Sequence, residues 1–209
     1  YYTFYNIAAT STQVTGTTTI DSLGLINLLV DLSTLTDGSI YGNFYIIDQA
    51  GNVSNPVESI MFKETVLPIV AEITPVTPNI TSTNTPAYTF STTEDGSISF
   101  TGGVNCGNLS FPSMSAIAGT TTANFNIISD GSYSCVLVVT DPYGNQGMAT
   151  MTPFTVDTVA NAPAVSFTSP INSLNQTAVS FTGTAEATST LYYTFYNIAA
   201  TSTQVTGTT

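Results

Sequence analysis

Hydrophobic and polar positions along the chain read as short strands and turns. Tyr2 and Phe4 alternate with Tyr1, Thr3 and Tyr5, a period of two that suits a half-buried strand. Further strands are expected around Val14–Ile20, Gly24–Asp31 and Ser39–Asp48. Leu25–Leu32 is apolar enough for a helix, but Gly24, Asp31 and Ser33 bound a run too short for one. Asp37-Gly38 signals a tight turn, and Asp48-Gln-Ala-Gly51-Asn52 reads as a hairpin turn in which the glycine can take a positive φ. Beyond Pro68 the predicted strands are Ile69–Ile73, Ala87–Ser91, Ser97–Thr101, Asn108–Phe111, Thr122–Ile128, Tyr133–Thr140 and Met148–Val156. Ala164–Thr168, Ala178–Thr182 and Leu191–Tyr196 follow. Seven short strands in about 95 residues, with turns between them and no helical period, predict a β-sandwich.

Two repeats organise these strands. YYTFYNIAATSTQVTGTT fills Tyr1–Thr18 and returns letter for letter at Tyr192–Thr209, 191 positions later. Eighteen consecutive identities imply a tandem repeat of that length, with one copy present and the next begun. On this reading neither end is a natural terminus, and the chain is a window on a longer array. Inside the long repeat lies a weaker one. Pro68-Ile-Val70 matches Pro163-Ala-Val165 at a shift of 95, and Glu64-Thr65-Val66 matches Asp157-Thr158-Val159 at a shift of 93. Asp37-Gly-Ser39 matches Asp130-Gly-Ser132, and Asp48…Gly51-Asn52 matches Asp141…Gly144-Asn145, both at 93. The expected organisation is therefore all-β, a 191-residue repeat of two related modules. Residues 1–67 would be the C-terminal part of a module without its first strands, 68–162 a complete module, and 163–209 the N-terminal part of the next.

Composition removes several classes of function. Charged residues make up 7% of the chain, against about 25% in typical globular domains, so Thr, Ser and Asn must carry the surface. Lys63 is the single cation, His is absent, and the net charge is −12. Such a chain cannot neutralise phosphates, which argues against nucleic acid, and an anionic membrane would repel it. No apolar run reaches the roughly 20 residues needed to span a bilayer. Cys106 and Cys135 fit no metal-binding spacing. They read either as a structural disulfide between two strands, pointing to an oxidising extracellular setting, or as two buried free thiols.

Several motifs, in order and spacing, resemble the tandem bacterial Ig-like domains of large surface proteins and adhesins. They are Thr85-Pro-Ala-Tyr88-Thr-Phe90-Ser91, Gly96-Ser-Ile98, Asp130-Gly-Ser-Tyr133-Ser-Cys135 and Val139-Thr-Asp141-Pro-Tyr-Gly144-Asn145. Ser169-Pro170, Val179-Ser-Phe181-Thr-Gly183-Thr-Ala-Glu186 and Asp48-Gln-Ala-Gly51-Asn52 extend the pattern. The resemblance implies Ig-like sandwiches in an extracellular stalk, fibre or adhesin, in some relatives stiffened by calcium between domains. The inter-sheet disulfide of antibody domains is not expected, because Cys106 falls on or after the third strand and not on the second.

Candidate chemistry is sparse. With no His or Arg, a nucleophile would need Lys63 or a carboxylate as its base, and the adjacent pair Glu94-Asp95 reads more simply as a solvated turn. The chain is therefore expected not to be an enzyme and to require no cofactor. Calcium is the one ion considered. Glu64 and Asp157 fall at module junctions, and Asp37, Asp130, Asp48 and Asp141 fall in turns, although Asp favours turns without metal too. Tyr1 and Tyr5, repeated as Tyr192 and Tyr196, share the outward face of their strand and could stack on sugars or shield a neighbouring strand. Asn-x-Ser/Thr sequons stand at Asn52, Asn79, Asn108 and Asn175. The expected partners are copies of the chain itself, head to tail, with surface glycan as an alternative.

Overall fold

The alternation at the N-terminus produces the first sheet. The computed structural model describes residues 1–199, 201 and 204–209 in full, and the backbone alone of 200, 202 and 203. β1 (Tyr2–Asn6) pairs on one edge with β2 (Ala9–Gly16) and on the other with β3 (Gly38–Phe44), which pairs in turn with β4 (Val57–Lys63), all antiparallel. Phe4, Leu35 and Ile40 form a small buried cluster, with Val30 and Leu32 packed against it. The hairpin turn forms as expected: Gly51 takes φ +88°, and Ile47 bridges Val53 across it. Two expectations fail here. Gly24–Asp31 is not a strand but part of a loop laid against the sheet, with Val30 packed on the buried cluster and Leu29 left 96% exposed. The strand expected at Val14–Ile20 ends at Gly16, where pairing with Tyr2 stops. The pattern also failed to reveal β4, whose consecutive Ile60-Met61-Phe62 hides its period of two.

The central segment builds a two-sheet sandwich. Its strands are β5 (Val70–Thr74), β6 (Ile80–Thr81), β7 (Ala87–Thr92), β8 (Gly96–Val104), β9 (Ser115–Ala116), β10 (Gly119–Asn124), β11 (Gly131–Thr140), β12 (Gln146–Thr150) and β13 (Phe154–Val156). One sheet has the order β10-β7-β5; the other has β6-β13-β11-β8-β9, with β12 also on β11. Alternate residues of β7, β8 and β11 meet between them. Tyr88, Phe90, Ile98, Tyr133, Leu137 and Val139 are all buried, as are Phe111, Phe125 and Phe154. Full burial of a side chain of Phe size contributes about 2–3 kcal/mol, so this ring-rich core dominates the stability of the sandwich. The Tyr133 hydroxyl donates to the Ser129 carbonyl at 2.7 Å, the corner contact typical of Ig-type sandwiches.

Three predicted strands shift for local reasons. Asn108–Phe111 is not a strand: Cys106–Asn108 forms a single 3-10 turn entered through Asn105 at φ +60°. Thr122–Ile128 begins earlier, at Gly119, and leaves the sheet at Asn124, although Phe125 and Ile128 stay buried. Met148–Val156 divides into β12 and β13 because Pro153 has no N–H for the ladder. At that break Glu72 of β5 accepts from the Thr152 N–H at 2.9 Å and the Thr152 hydroxyl at 2.6 Å, tying the two sheets together.

The last strands are β14 (Ala164–Phe167), β15 (Phe181–Thr184), β16 (Tyr192–Asn197) and β17 (Ala200–Thr208). β15 starts three residues later than the Ala178 expected from sequence. β14 pairs with β15, and β16 with β17. β16–β17 reproduces the register of β1–β2, from Tyr193↔Gly207 against Tyr2↔Gly16 to the same irregularity before Asn197 and Asn6.

Candidate functional site

The carboxylates singled out by sequence serve three structural tasks. In the first, Asp37 and Asp130 hold the chain as it leaves each module. Thr65 donates its N–H to Asp37 Oδ2 at 2.9 Å and its hydroxyl lies 3.1 Å from Oδ1. Thr158 does the same to Asp130, at 3.1 Å and 2.9 Å. The Thr65 N–H is the main cause that holds the Asp37 carboxyl below its ordinary value, with Lys63 Nζ, 3.3 Å away, assisting.

In the second task, Asp48 and Asp141 brace the turns. Asp48 Oδ1 accepts from the Ala50 and Asn52 N–H groups at 2.9 Å and 2.8 Å, and Oδ2 from the Asn52 side-chain amide at 2.8 Å. Asp141 repeats this with Tyr143 N–H, Asn145 N–H and the Asn145 amide, each at 2.8 Å. The Asn52 side-chain amide is the main cause of the lowered Asp48 pKa. Burial opposes ionisation of Asp141, but the Asn145 and Tyr143 donors outweigh it and its pKa is lowered.

The third task falls at the junction near residue 67. Glu64 Oε1 accepts from the Val66 N–H at 2.6 Å, while Oε2 takes the Asn145 side-chain amide of the central sandwich. Burial, followed by the neighbouring Asp141 carboxylate, raises the Glu64 pKa above its ordinary value. Beside this contact the Phe62 and Tyr143 rings lie 5.3 Å apart at 31°. Asp157, the counterpart of Glu64, accepts only a long 3.4 Å bond from the Val159 N–H. The structure thus brings Glu64 and Asp141 together around the Asn145 amide. Among the described residues no group of three or more His, Cys, Asp or Glu could hold a metal ion.

Cys106 and Cys135 form a disulfide, with Cα atoms 5.5 Å apart. It joins the turn after β8 to β11, which are neighbours in one sheet, so it does not bridge the two layers of the sandwich. Position 103 must be glycine for the end of β8 to lie there: Gly103 has φ +64°, and a Cβ would meet the Ser134 carbonyl oxygen at 1.8 Å. On the outer face of β1, Tyr1 stacks on Tyr45 at 5.0 Å and 6°, and Tyr5 lies 5.0 Å from Tyr41. The tyrosines therefore cover their neighbours in the sheet. Glu94-Asp95 is a turn, with Asp95 Oδ1 accepting the Ala118 N–H at 2.7 Å. Sequence reasoning missed Thr65, Thr158, Asn145 and the Phe62–Tyr143 pair. A signal for the threonines was available, since each follows its Asp by 28 residues in both modules.

Residues 74–158 match the family model of the bacterial Ig-like domain. The matched stretch coincides with the central sandwich, from the end of β5 to just beyond β13. No curated protein matches the chain. Domains of this fold are typically non-enzymatic. Among the described residues no helix is long and apolar enough to cross a membrane.

Proposed function

We infer that this chain is a repeat unit of an extracellular stalk, fibre or adhesin, a spacer built from Ig-like sandwiches joined head to tail. The observation that carries the reading is the duplicated 18-residue hairpin, which has the same register on both sides of a complete sandwich. A disulfide supports an oxidising, extracellular setting. The junction supports stiffness: Phe62 and Glu64 reach the turn of the following sandwich, and an array gains length by repeating such contacts without new chemistry. By the same geometry Asp157 of one copy would face the Asp48–Asn52 turn of the next. Calcium, if it stiffens the array, would sit where Glu64 meets Asp141.

Complete tryptic digestion of the reduced and unfolded native protein tests the covalent array. Lys63 is the one cleavage site per 191 residues, so mass spectrometry should find an internal 191-residue fragment. Only shorter pieces, ending at subunit termini, would replace the array with separate subunits joined by strand complementation.

A further inference from the structure

The inner face of the first sheet carries more apolar surface than its own loop covers. Directly paired residues share a face, which places Tyr2 with Phe44 and Val57, and Ile40 with Met61. The 20–37 loop buries Phe4 and Ile40, yet Val57 remains 67% exposed and Met61 39%. A cleft of about 510 Å³ opens over Tyr2, Phe44 and Val57, with Ile20, Ile26 and Leu28 on its other wall. Patches of this kind on a folded surface mark an interaction site.

The same residues are seen with a cover elsewhere in the molecule. Tyr193 and Phe195 are the letter-for-letter equivalents of Tyr2 and Phe4. The Phe181 ring of β15 lies 5.7 Å from Tyr193 and 5.9 Å from Phe195, and Phe167 of β14 lies 6.5 Å from Phe195. The central sandwich shows the finished arrangement. There Val70↔Thr92, Ala71↔Ser91 and Glu72↔Phe90 pair β5 with β7. Val165↔Gly183, Ser166↔Thr182 and Phe167↔Phe181 repeat that register in β14–β15, which makes Phe181 the counterpart of the fully buried Phe90. The deficits are complementary. β1 has β3 on its second edge but no β14–β15 above it; β16 has β14–β15 but, among the described residues, no strand on its second edge.

We propose that the apolar face of β1, β3 and β4 is the docking site for the β14–β15 strand pair of another copy of this sequence, residues 163–191 directly preceding the YYTFYN strand. This rests on the tandem reading above and deepens it by naming the strands that complete the sheet of β1, β3 and β4. Phe181 of the preceding copy packs against Tyr2, the open neighbour of the already buried Phe4, as it does against Tyr193. The pairing is apolar on both sides, so it needs no charge that this chain lacks.

The test compares the 209-residue chain with the same chain extended at its N-terminus by residues 163–191. Amide exchange in β1 and β3 should slow at least tenfold on extension, and binding of the apolar-surface dye ANS should fall. An extension carrying Phe181→Ser should restore both. The β16 amides, which have β14–β15 beside them with and without the extension, serve as the internal control and should not change. Equal exchange with and without the extension, or equal protection by the Phe181→Ser extension, overturns the proposal and leaves the face to a different partner. Failure of the covalent array is read separately: the digest would then lack the 191-residue fragment even where the extension protects β1 and β3.

Discussion

Glu64 and Asp141 place two carboxylates around one donor, the Asn145 side-chain amide, at the boundary between the first sheet and the central sandwich. Their pKa values are driven in opposite directions, Glu64 up and Asp141 down. A raised folded pKa means that Glu64 favours the folded state when protonated. That contribution is complete below the ordinary glutamate value and is lost as pH rises through the raised one. Asp141 and Asp48 behave oppositely: their contribution holds above the ordinary aspartate value and disappears as pH falls through the lowered one. Glu64→Gln keeps an acceptor for Asn145 and removes the like charge. It should raise the melting temperature at pH 7, with the gain shrinking to zero as pH falls below the ordinary glutamate range. A melting series from pH 3 to 8 checks this, and a constant difference between variant and parent would refute it. Sequence singled out Glu64, but its partner lies 81 positions away and could not be read from spacing.

Among the elements, β11 organises the central sandwich. Its alternation, Tyr133-Ser-Cys135-Val-Leu137, was legible because one face is buried along its whole length. The disulfide adds a covalent link from β11 to the turn after β8, closing a loop with a sequence separation of 29. Loop-closure entropy for that length gives about 3–4 kcal/mol. The Cys106→Ala/Cys135→Ala double variant should lose stability of that order, seen as a lower urea midpoint. A drop below about 1 kcal/mol would mean that the turn is held by its other contacts. Elements whose formation depends on a distant edge were not legible. Gly24–Asp31 has the apolar content of a strand but is part of a loop laid against the sheet. β4 lacks the alternation, yet pairs with β3 over its full length from Val57 to Lys63.

Across the whole molecule, stiffness depends on what crosses between units. Phe62 and Tyr143 contribute the apolar part of the junction and Glu64–Asn145 the polar part. A double-mutant cycle of Phe62→Ala and Tyr143→Ala should give a coupling energy of about 0.5–1.5 kcal/mol, the range for paired aromatic rings. Small-angle scattering should show a broader distribution of intraparticle distances for the double variant than for the parent. Zero coupling would remove this pair from the account of stiffness. The positions shifted by 93 residues, Thr155 and Ala50, carry no rings, so the Phe62–Tyr143 contact has no aromatic equivalent there.

The sequence by itself determined what depends on neighbours along the chain. It set the all-β character, the braced Asp-x-x-Gly-Asn turns, the two repeats and the cysteine pair. Each follows from side-chain alternation, from the conformational freedom of glycine, or from plain identity of letters. Tertiary structure alone decided which strands found partners, that the disulfide lies within one sheet, and that Glu64 meets Asp141 and Phe62 meets Tyr143. Those outcomes depend on groups brought together from separations of 29 to 81 residues, where local pattern carries no information about distance.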